Sequence, residues 1–487
     1  MDRLPCEAGY RENMSPSKPA NSPEETPACR IVAFRQSSAL PPLSIRQNFA
    51  WYLSGNVTQA VSRLLVLVLL IKLGGLAEAG RWVAALALGT PIFAAFELGL
   101  RNLLVCDVRR RFPFQDYFSI RVVGASMAWL VAPLAALVYT ANPAFVGLVF
   151  IVATGRMFDS LADIGYAVLQ REERMDRIGA GFLLRYGLSL VVIAGALAVG
   201  GGAFAAACAD ALAAGAVFFG WTRPHVSRLL AGMVLSQGAP GTGSNSSPPT
   251  PVEIIQWQRP HAGWLKIIWE SLPAGVVNFE INLITNIPRY VVDMALGEEA
   301  LAVFASALQV AAVGQLFVSA MANALAPRLA RCYHALELRR YVFLLSRFMG
   351  VTILFALLPF ALVETVIGQK LLALILTPRI LEDPTFLRWI VVAACILFMT
   401  SVLGRGVESL GAFRQHMVIR GVTVLVLLIL SPVFTAWWGM RGTALGLAVA
   451  LAVSLPFYLA VIVSAWVRAL NVPHESAQAI SVKKAAA

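Results

Sequence analysis

Twelve long apolar stretches between residues 48 and 468 constrain the fold of this chain more than any other feature of its sequence. An α-helix rises about 1.5 Å per residue and needs about 20 residues to cross the hydrocarbon core of a bilayer, and every stretch reaches that length. Hydrophobic residues make up 58% of the chain and charged residues 14%, whereas about a quarter of the residues are charged in a soluble domain. The pattern predicts an all-α integral membrane protein with about 12 transmembrane helices.

A transmembrane β-barrel is a poor alternative, because barrel strands are short and alternate in polarity at every second residue. Residues 64–70, for example, form an unbroken apolar run. The predicted spans are residues 48–73, 81–105, 118–140, 143–170, 178–199, 201–221, 264–296, 301–326, 342–366, 387–412, 418–438 and 442–468.

The arginines predict the orientation of the spans, because cytoplasmic loops keep an excess of Lys and Arg. Arginines cluster in every second gap, and three basic residues (Lys72, Arg81 and Arg441) fall on the other side. Both termini are therefore expected in the cytoplasm, and the net charge of +12 reflects this bias rather than nucleic-acid binding. The clustered residues are Arg101, Arg109, Arg110, Arg111, Arg121, Arg171, Arg174, Arg177, Arg223, Arg228, Arg259, Arg328, Arg331, Arg339, Arg340, Arg347, Arg414 and Arg420.

Polar segments outside the spans predict how the chain is organised. The first segment is rich in Pro, Ser and Glu and is expected to be disordered, unless translation starts at Met14. An even number of spans separates the two halves, so equivalent helices run in the same direction, as in a parallel repeat. The predicted parts are a cytoplasmic tail at 1–45, six-helix bundles at 46–222 and 263–468, a cytoplasmic linker at 223–262 and a second cytoplasmic tail at 469–487.

The sequence offers little for catalysis or metal binding. Its six cysteines are scattered without a Cys-x-x-Cys pair, so neither a metal site nor a disulfide framework is expected. No HExxH, P-loop or GxSxG motif is present. We expect no cofactor and no enzymatic activity.

Polar residues inside the spans form three stripes at helical spacing. A charge at the bilayer centre costs at least about 2.5–3.5 kcal/mol, so these stripes are expected to face the interior of a bundle or a wet cavity between the halves. The stripes are Tyr52, Asn56, Gln59 and Arg63 in the first span, Arg156, Asp159, Asp163, Tyr166 and Gln170 in the fourth, and Asn278, Asn282, Asn286, Arg289 and Asp293 in the seventh.

Each stripe also has a structural interpretation. Arg156 with Asp159, and Arg289 with Asp293, lie three and four residues apart and can neutralise each other locally. The three asparagines of the seventh span are typical of hydrogen bonds between helices. Arg63 has no acidic residue within a turn of its own helix, so it requires either an anionic substrate or a carboxylate from another span; Asp159 and Asp210 are the candidates.

Carboxylates inside the spans are candidates for ion coupling or ion pairing. Glu280 lies deepest and can carry a coupling cation or pair with Arg63 or Arg185. Asp163 and Arg185 lie at similar depth on neighbouring spans, which predicts a structural ion pair. Glu408 has Arg405 three residues away and is expected to pair with it.

Several sequence blocks resemble one family of transporters. They are residues 48–56 (NFAWYLSGN), 72–74 (KLG), 159–164 (DSLADI), 172–178 (EERMDRI), 286–290 (NIPRY), 296–297 (LG) and 326–330 (APRLA). The chain resembles bacterial polysaccharide flippases of the O-antigen, capsule and exopolysaccharide type. These proteins belong to the multidrug/oligosaccharidyl-lipid/polysaccharide exporter superfamily, and the resemblance extends over nearly all of residues 46–468.

The resemblance implies a transporter of the bacterial inner membrane with two six-helix bundles around a central polar cavity. It would flip a polyprenyl-pyrophosphate-linked oligosaccharide to the periplasmic leaflet by alternating access, with membrane lipids, a polysaccharide polymerase and a chain-length regulator as further partners and no nucleic acid. The expected substrate contacts are Asn56, Gln59, Arg63, Arg156, Asn278, Asn282, Asn286 and Arg289. The expected coupling or ion-pair residues are Asp159, Asp163, Arg185, Asp210, Glu280 and Asp293.

Two other functions remain open on the sequence. One is a cation-coupled exporter of drugs or organic cations from the same superfamily, whose cavity would be acidic or aromatic. The other is a membrane scaffold of a polysaccharide-assembly complex that transports nothing.

Overall fold

Helices account for nearly all of the described residues. The computed structural model describes residues 44–107, 111–236, 258–335 and 337–470, and the described residues contain fourteen α-helices and no strand. The N-terminal helices are α1 (Ile45–Leu69), α2 (Leu76–Phe96), α3 (Leu100–Cys106), α4 (Phe114–Tyr139), α5 (Pro143–Arg171), α6 (Met175–Ala198), α7 (Ala203–Val217) and α8 (Arg223–Ser236). The C-terminal helices are α9 (Ala262–Leu296), α10 (Glu298–His334), α11 (Leu338–Glu364), α12 (Val366–Ile375), α13 (Pro384–Ser409) and α14 (Phe413–Leu470).

The helices confirm the prediction of an all-α protein with about 12 spans. Ten helical stretches of the described chain are long and apolar enough to cross a membrane. One of them, α14, consists of two helices joined at Gly439, whose φ of 57° is a backbone conformation that favours glycine. Helix α9, which is not among these ten, has 35 residues and also has the length to cross.

The helix ends differ from the predicted spans at several places. The predicted span 81–105 is divided into α2 and α3 by a break at residues 97–99. Helix α7 runs through a π-helical turn, Phe218–Thr222, directly into α8, so the start of the predicted linker is helical. The short helix α12 follows α11 directly and is capped by Thr365, whose side chain accepts a hydrogen bond from Gly368 N. All but two residues of each predicted tail, 1–45 and 469–487, and much of the predicted linker lie outside the described residues, as do Arg109 and Arg110.

Helix α2 forms the seam between the two bundles, because it packs against both α9 and α10. Small residues allow the close approach at either end of this seam. A Cβ atom added to Gly80 would lie 2.0 Å from the carbonyl oxygen of Glu298. At the other end, Gly99 has a φ of +65°, and a Cβ atom there would lie 2.6 Å from Gly275 N.

Polar contacts between the bundles accompany this close packing. At the predicted periplasmic end, Arg81 Nε lies 2.9 Å from Glu298 Oε2, and the Tyr139 hydroxyl donates to Asp293 Oδ2 over 2.7 Å. At the predicted cytoplasmic end, Arg111 Nη2 lies 2.8 Å from Glu270 Oε2. The seam is therefore bonded at both ends, and any rocking of the bundles has to break one of these sets of contacts.

Substituting Gly80 tests the packing of the seam. We expect Gly80→Ala to lower the free energy of unfolding of the purified protein by about 1–3 kcal/mol, because the new methyl group overlaps the backbone of α10. Gly89→Ala, on the same helix, is the matched control, because a Cβ atom at Gly89 has no neighbour within 4 Å. Thermal unfolding in detergent measures both variants. Equal stability of the two would contradict the close approach at Gly80.

Candidate functional site

A polar cavity of about 340 Å³ opens inside the N-terminal bundle. Side chains from α1, α5 and α6 form most of its wall, and α9 of the other bundle contributes Asn278. Its lining residues are Tyr52, Asn56, Gln59, Arg63, Glu97, Gly99, Arg101, Asn102, Arg121, Arg156, Asp159, Ser160, Ala162, Asp163, Tyr166, Phe182, Arg185, Tyr186, Ala214, Val217, Phe218 and Asn278.

Two of the three predicted polar stripes line this cavity. All four stripe residues of α1 reach it, and so do the first four of α5. The fifth residue of the α5 stripe, Gln170, accepts a hydrogen bond of 2.9 Å from Arg101 Nη2. From the stripe of α9 only Asn278 is part of the lining. Helical periodicity therefore identified the wall of the cavity on α1 and α5.

Arg185 binds two carboxylates at the wall of the cavity. Its Nε lies 2.8 Å from Asp159 Oδ1, and its Nη1 lies 2.8 Å from Asp210 Oδ1. The predicted ion pair of Arg185 with Asp163 is therefore wrong, because the guanidinium is directed to α5 one turn earlier and to α7. The predicted local pair of Arg156 with Asp159 is also absent from the described contacts, since Asp159 is bound by Arg185.

Asp163 belongs to a second group of charges. It accepts a hydrogen bond from Arg101 and lies 3.6 Å from Arg121 Nη2, and Arg121 Nη1 is also 3.5 Å from Glu97 Oε1. Arg121 is 1% exposed. Sequence reasoning treated Arg101 and Arg121 as orientation signals of cytoplasmic loops and missed them as cavity residues. Both residues fall inside predicted spans, 81–105 and 118–140, and this was the signal that was available.

Two arginines of the cavity, Arg63 and Arg156, have no hydrogen bond or ion pair with any described residue. The guanidinium of Arg63 lies over the ring of Tyr186, 5.9 Å from its centroid, a favourable cation–π arrangement. Arg156 Nε is buried and has no hydrogen-bond partner. Asp159 and Asp210, the two candidate partners of Arg63, are both bound by Arg185 instead. The positive charge of Arg63 still acts on Asp210 from a distance.

The stripe of α9 is bonded mainly within its own helix. Asn282 and Asn286 each donate 2.8 Å hydrogen bonds to the carbonyl oxygen four residues earlier, rather than to another helix as expected. Arg289 Nη1 donates to Asn286 Oδ1 over 2.8 Å, and its buried Nε has no partner. The predicted pair of Arg289 with Asp293 is wrong, because Asp293 accepts its hydrogen bond from Tyr139 of the other bundle.

Glu280 lies apart from the cavity, against α14. Its Oε2 is buried without a hydrogen-bond partner, and its Oε1 is 3.2 Å from the position of a Cβ atom on Gly421. The charge that acts on it is that of Arg420, so the expected pairs with Arg63 or Arg185 are not formed.

A charged network that sequence reasoning missed lies beside Glu280. Arg420 Nε donates to His416 Nε2 over 2.6 Å, and His416 Nδ1 lies 3.1 Å from Glu408 Oε1. The predicted pair of Glu408 with Arg405 is confirmed at 2.6 Å. His416 and Arg420 lie four residues apart on α14, and this spacing was the available signal.

Comparison with known proteins shows what this chain is similar to. The MatE family model matches residues 273–433. The capsular polysaccharide biosynthesis protein CapF of Staphylococcus aureus is 20% identical over 414 residues, which cover 85% of this chain and 98% of that protein.

Solved transporter structures share the fold. A multidrug resistance MATE family transporter of the MOP superfamily in its inward-facing conformation aligns with a TM-score of 0.62 at 14% identity, over 87% of this chain and 96% of that one. A MOP superfamily transporter from Pyrococcus furiosus, described as having a binding pocket of reverse polarity, aligns with a TM-score of 0.59 at 15% identity, over 87% and 95%. The chain therefore has the fold of these solved transporters, and the MatE match lies within its C-terminal half. Both findings agree with the resemblance to the multidrug/oligosaccharidyl-lipid/polysaccharide exporter superfamily, abbreviated MOP.

Proposed function

We propose that this chain is a transporter that flips a polyprenyl-pyrophosphate-linked oligosaccharide across the bacterial inner membrane by alternating access. The observation that carries the proposal is a pair of arginines, Arg63 on α1 and Arg289 on α9. These two helices are the first of their bundles, and neither arginine has a carboxylate partner among the described residues. A charge within a membrane protein without a counter-charge is costly, and an anionic substrate supplies that counter-charge.

A pyrophosphate suits these two side chains. The planar guanidinium binds phosphate oxygens through two parallel hydrogen bonds. The two guanidinium charges repel one another across the bundles, and an anion bound between them replaces this repulsion with attraction to both. Because one arginine belongs to each bundle, the substrate would couple the movement of the two bundles.

The rest of the cavity suits sugars. Amide side chains of Asn56, Gln59, Asn102 and Asn278 line it beside tyrosines, and sugar hydroxyls require such donors and acceptors. The name of the Staphylococcus aureus relative, a capsular polysaccharide biosynthesis protein, supports the same class of substrate. A polysaccharide polymerase and a chain-length regulator in the same membrane are the partners that this function implies.

The direct test is a strain from which the chain has been deleted. We expect it to accumulate lipid-linked oligosaccharide on the cytoplasmic leaflet, because synthesis continues while transfer stops. Protection of the oligosaccharide from a periplasmic glycosidase measures the leaflet, and the wild-type chain restores digestion. Full digestion in the deletion strain would contradict the proposal, and it is also the result expected for a scaffold that transports nothing.

Export of organic cations is the second candidate, and Glu280 favours it. A buried carboxylate oxygen without a partner is a typical site for a coupling cation or a cationic drug, and the solved neighbours include multidrug transporters. The cavity argues against cationic substrates, because five arginines and three carboxylates line it. Drug accumulation in cells that lack the chain distinguishes export of organic cations from flipping of an oligosaccharide. We expect this accumulation to be the same as in wild-type cells.

Glu280 also provides a prediction about ion coupling. We expect Glu280→Gln to make flipping in proteoliposomes independent of an imposed proton or sodium gradient. The glutamine amide carries no negative charge, so it cannot bind and release a coupling cation. Glu364→Gln is the control, since Glu364 forms an exposed ion pair with Arg388 at 2.7 Å and should leave the gradient dependence intact. A Glu280→Gln variant that responds to the gradient like the wild type would remove Glu280 from coupling.

A further inference from the structure

Two opposite charges in the C-terminal bundle, Glu280 on α9 and Arg420 on α14, lie close together without forming an ion pair. From their surroundings we infer that Arg420 is a switchable counter-charge of Glu280. His416 holds Arg420 away while a coupling cation occupies the carboxylate, and Arg420 pairs with Glu280 once the cation has left. The inference rests on the proposed function and on the ion coupling expected at Glu280, and it assigns roles to two further residues.

The closeness of the two charges is the first step. Helices α9 and α14 pack against each other, and Glu280 Oε1 is 3.2 Å from the position of a Cβ atom on Gly421, the residue after Arg420. The positive charge of Arg420 acts on Glu280. Opposite charges attract strongly in the weakly polar interior of a bundle, yet Glu280 Oε2 is buried without a hydrogen-bond partner. Some other contact therefore keeps the two side chains apart.

His416 provides that contact. Arg420 Nε donates to His416 Nε2 over 2.6 Å, so this ring nitrogen is an acceptor and the imidazole is neutral with its proton on Nδ1. Nδ1 faces Glu408 Oε1 at 3.1 Å, without the alignment of a hydrogen bond. A Cβ atom added to Gly404 would lie 3.1 Å from His416 Cε1 and 3.9 Å from Arg420 Nη2. The guanidinium is therefore held towards α13 and not towards Glu280 on α9.

The charge of Arg420 is not needed by the carboxylate beyond His416. Glu408 Oε2 lies 2.6 Å from Arg405 Nη1, so its charge is offset within α13. Arg420 forms no ion pair with a carboxylate of the described residues. Glu280 and Arg420 are thus two uncompensated charges in a membrane protein, and each is costly until the other or a mobile ion neutralises it.

The exchange between the two arrangements follows from these charges. A cation bound at Glu280 neutralises the carboxylate and repels Arg420, which favours the bond of Arg420 to His416. When the cation leaves, the carboxylate attracts Arg420, which exchanges a neutral acceptor for a charged and stronger one. A coupled transporter has to change its conformation with the cation site both filled and empty. The pair of Glu280 with Arg420 keeps the empty site neutral.

Carbodiimide labelling of Glu280 in the purified full-length protein in detergent tests this exchange. Dicyclohexylcarbodiimide adds to a protonated carboxyl group in an apolar site, and mass spectrometry of the labelled peptide measures the rate. We expect His416→Ala to lower this rate at least about 10-fold, because the released Arg420 pairs with Glu280 and keeps it ionised. His416→Gln should stay within about twofold of the wild type, because the amide oxygen still accepts from Arg420.

Removing the arginine as well identifies the cause of slow labelling. The double variant with His416→Ala and Arg420→Met should recover the wild-type rate. Arg414→Met is the matched control, because Arg414 is exposed on the same helix and should not change the rate. The inference is overturned if His416→Ala remains folded, as thermal unfolding shows, and is labelled like the wild type. It is also overturned if the double variant is labelled as slowly as His416→Ala.

Gradient-driven flipping in proteoliposomes is the second arm and does not depend on the folding of the His416 variants. We expect Arg420→Met to slow flipping at least about 10-fold, because the cation-free carboxylate has lost its counter-charge. Adding Glu280→Gln should restore the gradient-independent rate of Glu280→Gln alone. Wild-type flipping by Arg420→Met, or a folded double variant that remains inactive, would overturn the inference. Failure of the proposed function is a different result, namely no flipping by the wild-type chain, and it leaves the labelling rates unaffected.

Discussion

Arg63→Ala is expected to abolish export of surface polysaccharide while the protein remains inserted and folded. Arg63 has no ion pair in the described chain, and its guanidinium lies over the ring of Tyr186. Its removal should therefore leave no buried carboxylate without a partner, since Arg185 holds both Asp159 and Asp210. Arg63→Lys should restore export only in part, because the ammonium lacks the planar fork that binds a phosphate with two hydrogen bonds.

The measurements are surface polysaccharide in a complemented deletion strain and thermal unfolding of the purified variants. Arg46→Ala is the matched control, because Arg46 lies on the same helix and is exposed at its predicted cytoplasmic end. One result would assign Arg63 a structural role instead. Arg63→Ala would unfold early, and the double variant with Asp210→Asn would recover both stability and export.

The sequence predicted the cavity wall better than the contacts within it. A stripe at helical spacing identifies a polar face, and the stripes of α1 and α5 do line the cavity. The same spacing suggests partners on the same helix, because these are the only neighbours visible in one sequence. In the structure Asp159 and Asp163 are bound by arginines of other helices. A long guanidinium reaches across helices, and which helix it meets depends on packing that periodicity does not contain.

Arg101 and Arg121 illustrate a second limit. Both conform to the excess of arginine on the cytoplasmic side, so they were interpreted as topology signals. Their carboxylate partners Glu97 and Asp163 lie at the same level of the membrane, which only the packing of α3 and α4 on α5 reveals.

The asparagines of α9 show the opposite case, in which contacts between helices were expected and local ones are found. Their hydrogen bonds are local, and the expectation of contacts between helices rested on composition alone.

The two carboxylates bound by Arg185 give a second prediction with a large effect, this time on the stability of the protein. We expect Arg185→Met to destabilise the protein by about 3–5 kcal/mol, because it leaves Asp159 and Asp210 charged and close together in the bundle. Arg185 itself is 6% exposed, and among the described residues Ser189 would remain as the donor to Asp210. Thermal or denaturant unfolding in detergent measures the loss. Arg388→Met is the control, since its exposed pair with Glu364 should contribute little to stability.

Removing the carboxylates as well decides the cause of that loss. If two uncompensated charges destabilise Arg185→Met, then adding Asp159→Asn and Asp210→Asn should recover most of the stability, because a neutral, well-packed group replaces a buried ion cluster at little cost. If the triple variant is as unstable as Arg185→Met, the guanidinium stabilises the bundle through its packing between α5, α6 and α7 instead. Measuring polysaccharide export by the triple variant then shows whether the carboxylates also act in transport. A triple variant that is stable but inactive would place these carboxylates in the transport cycle, whereas an active one would make the cluster purely structural.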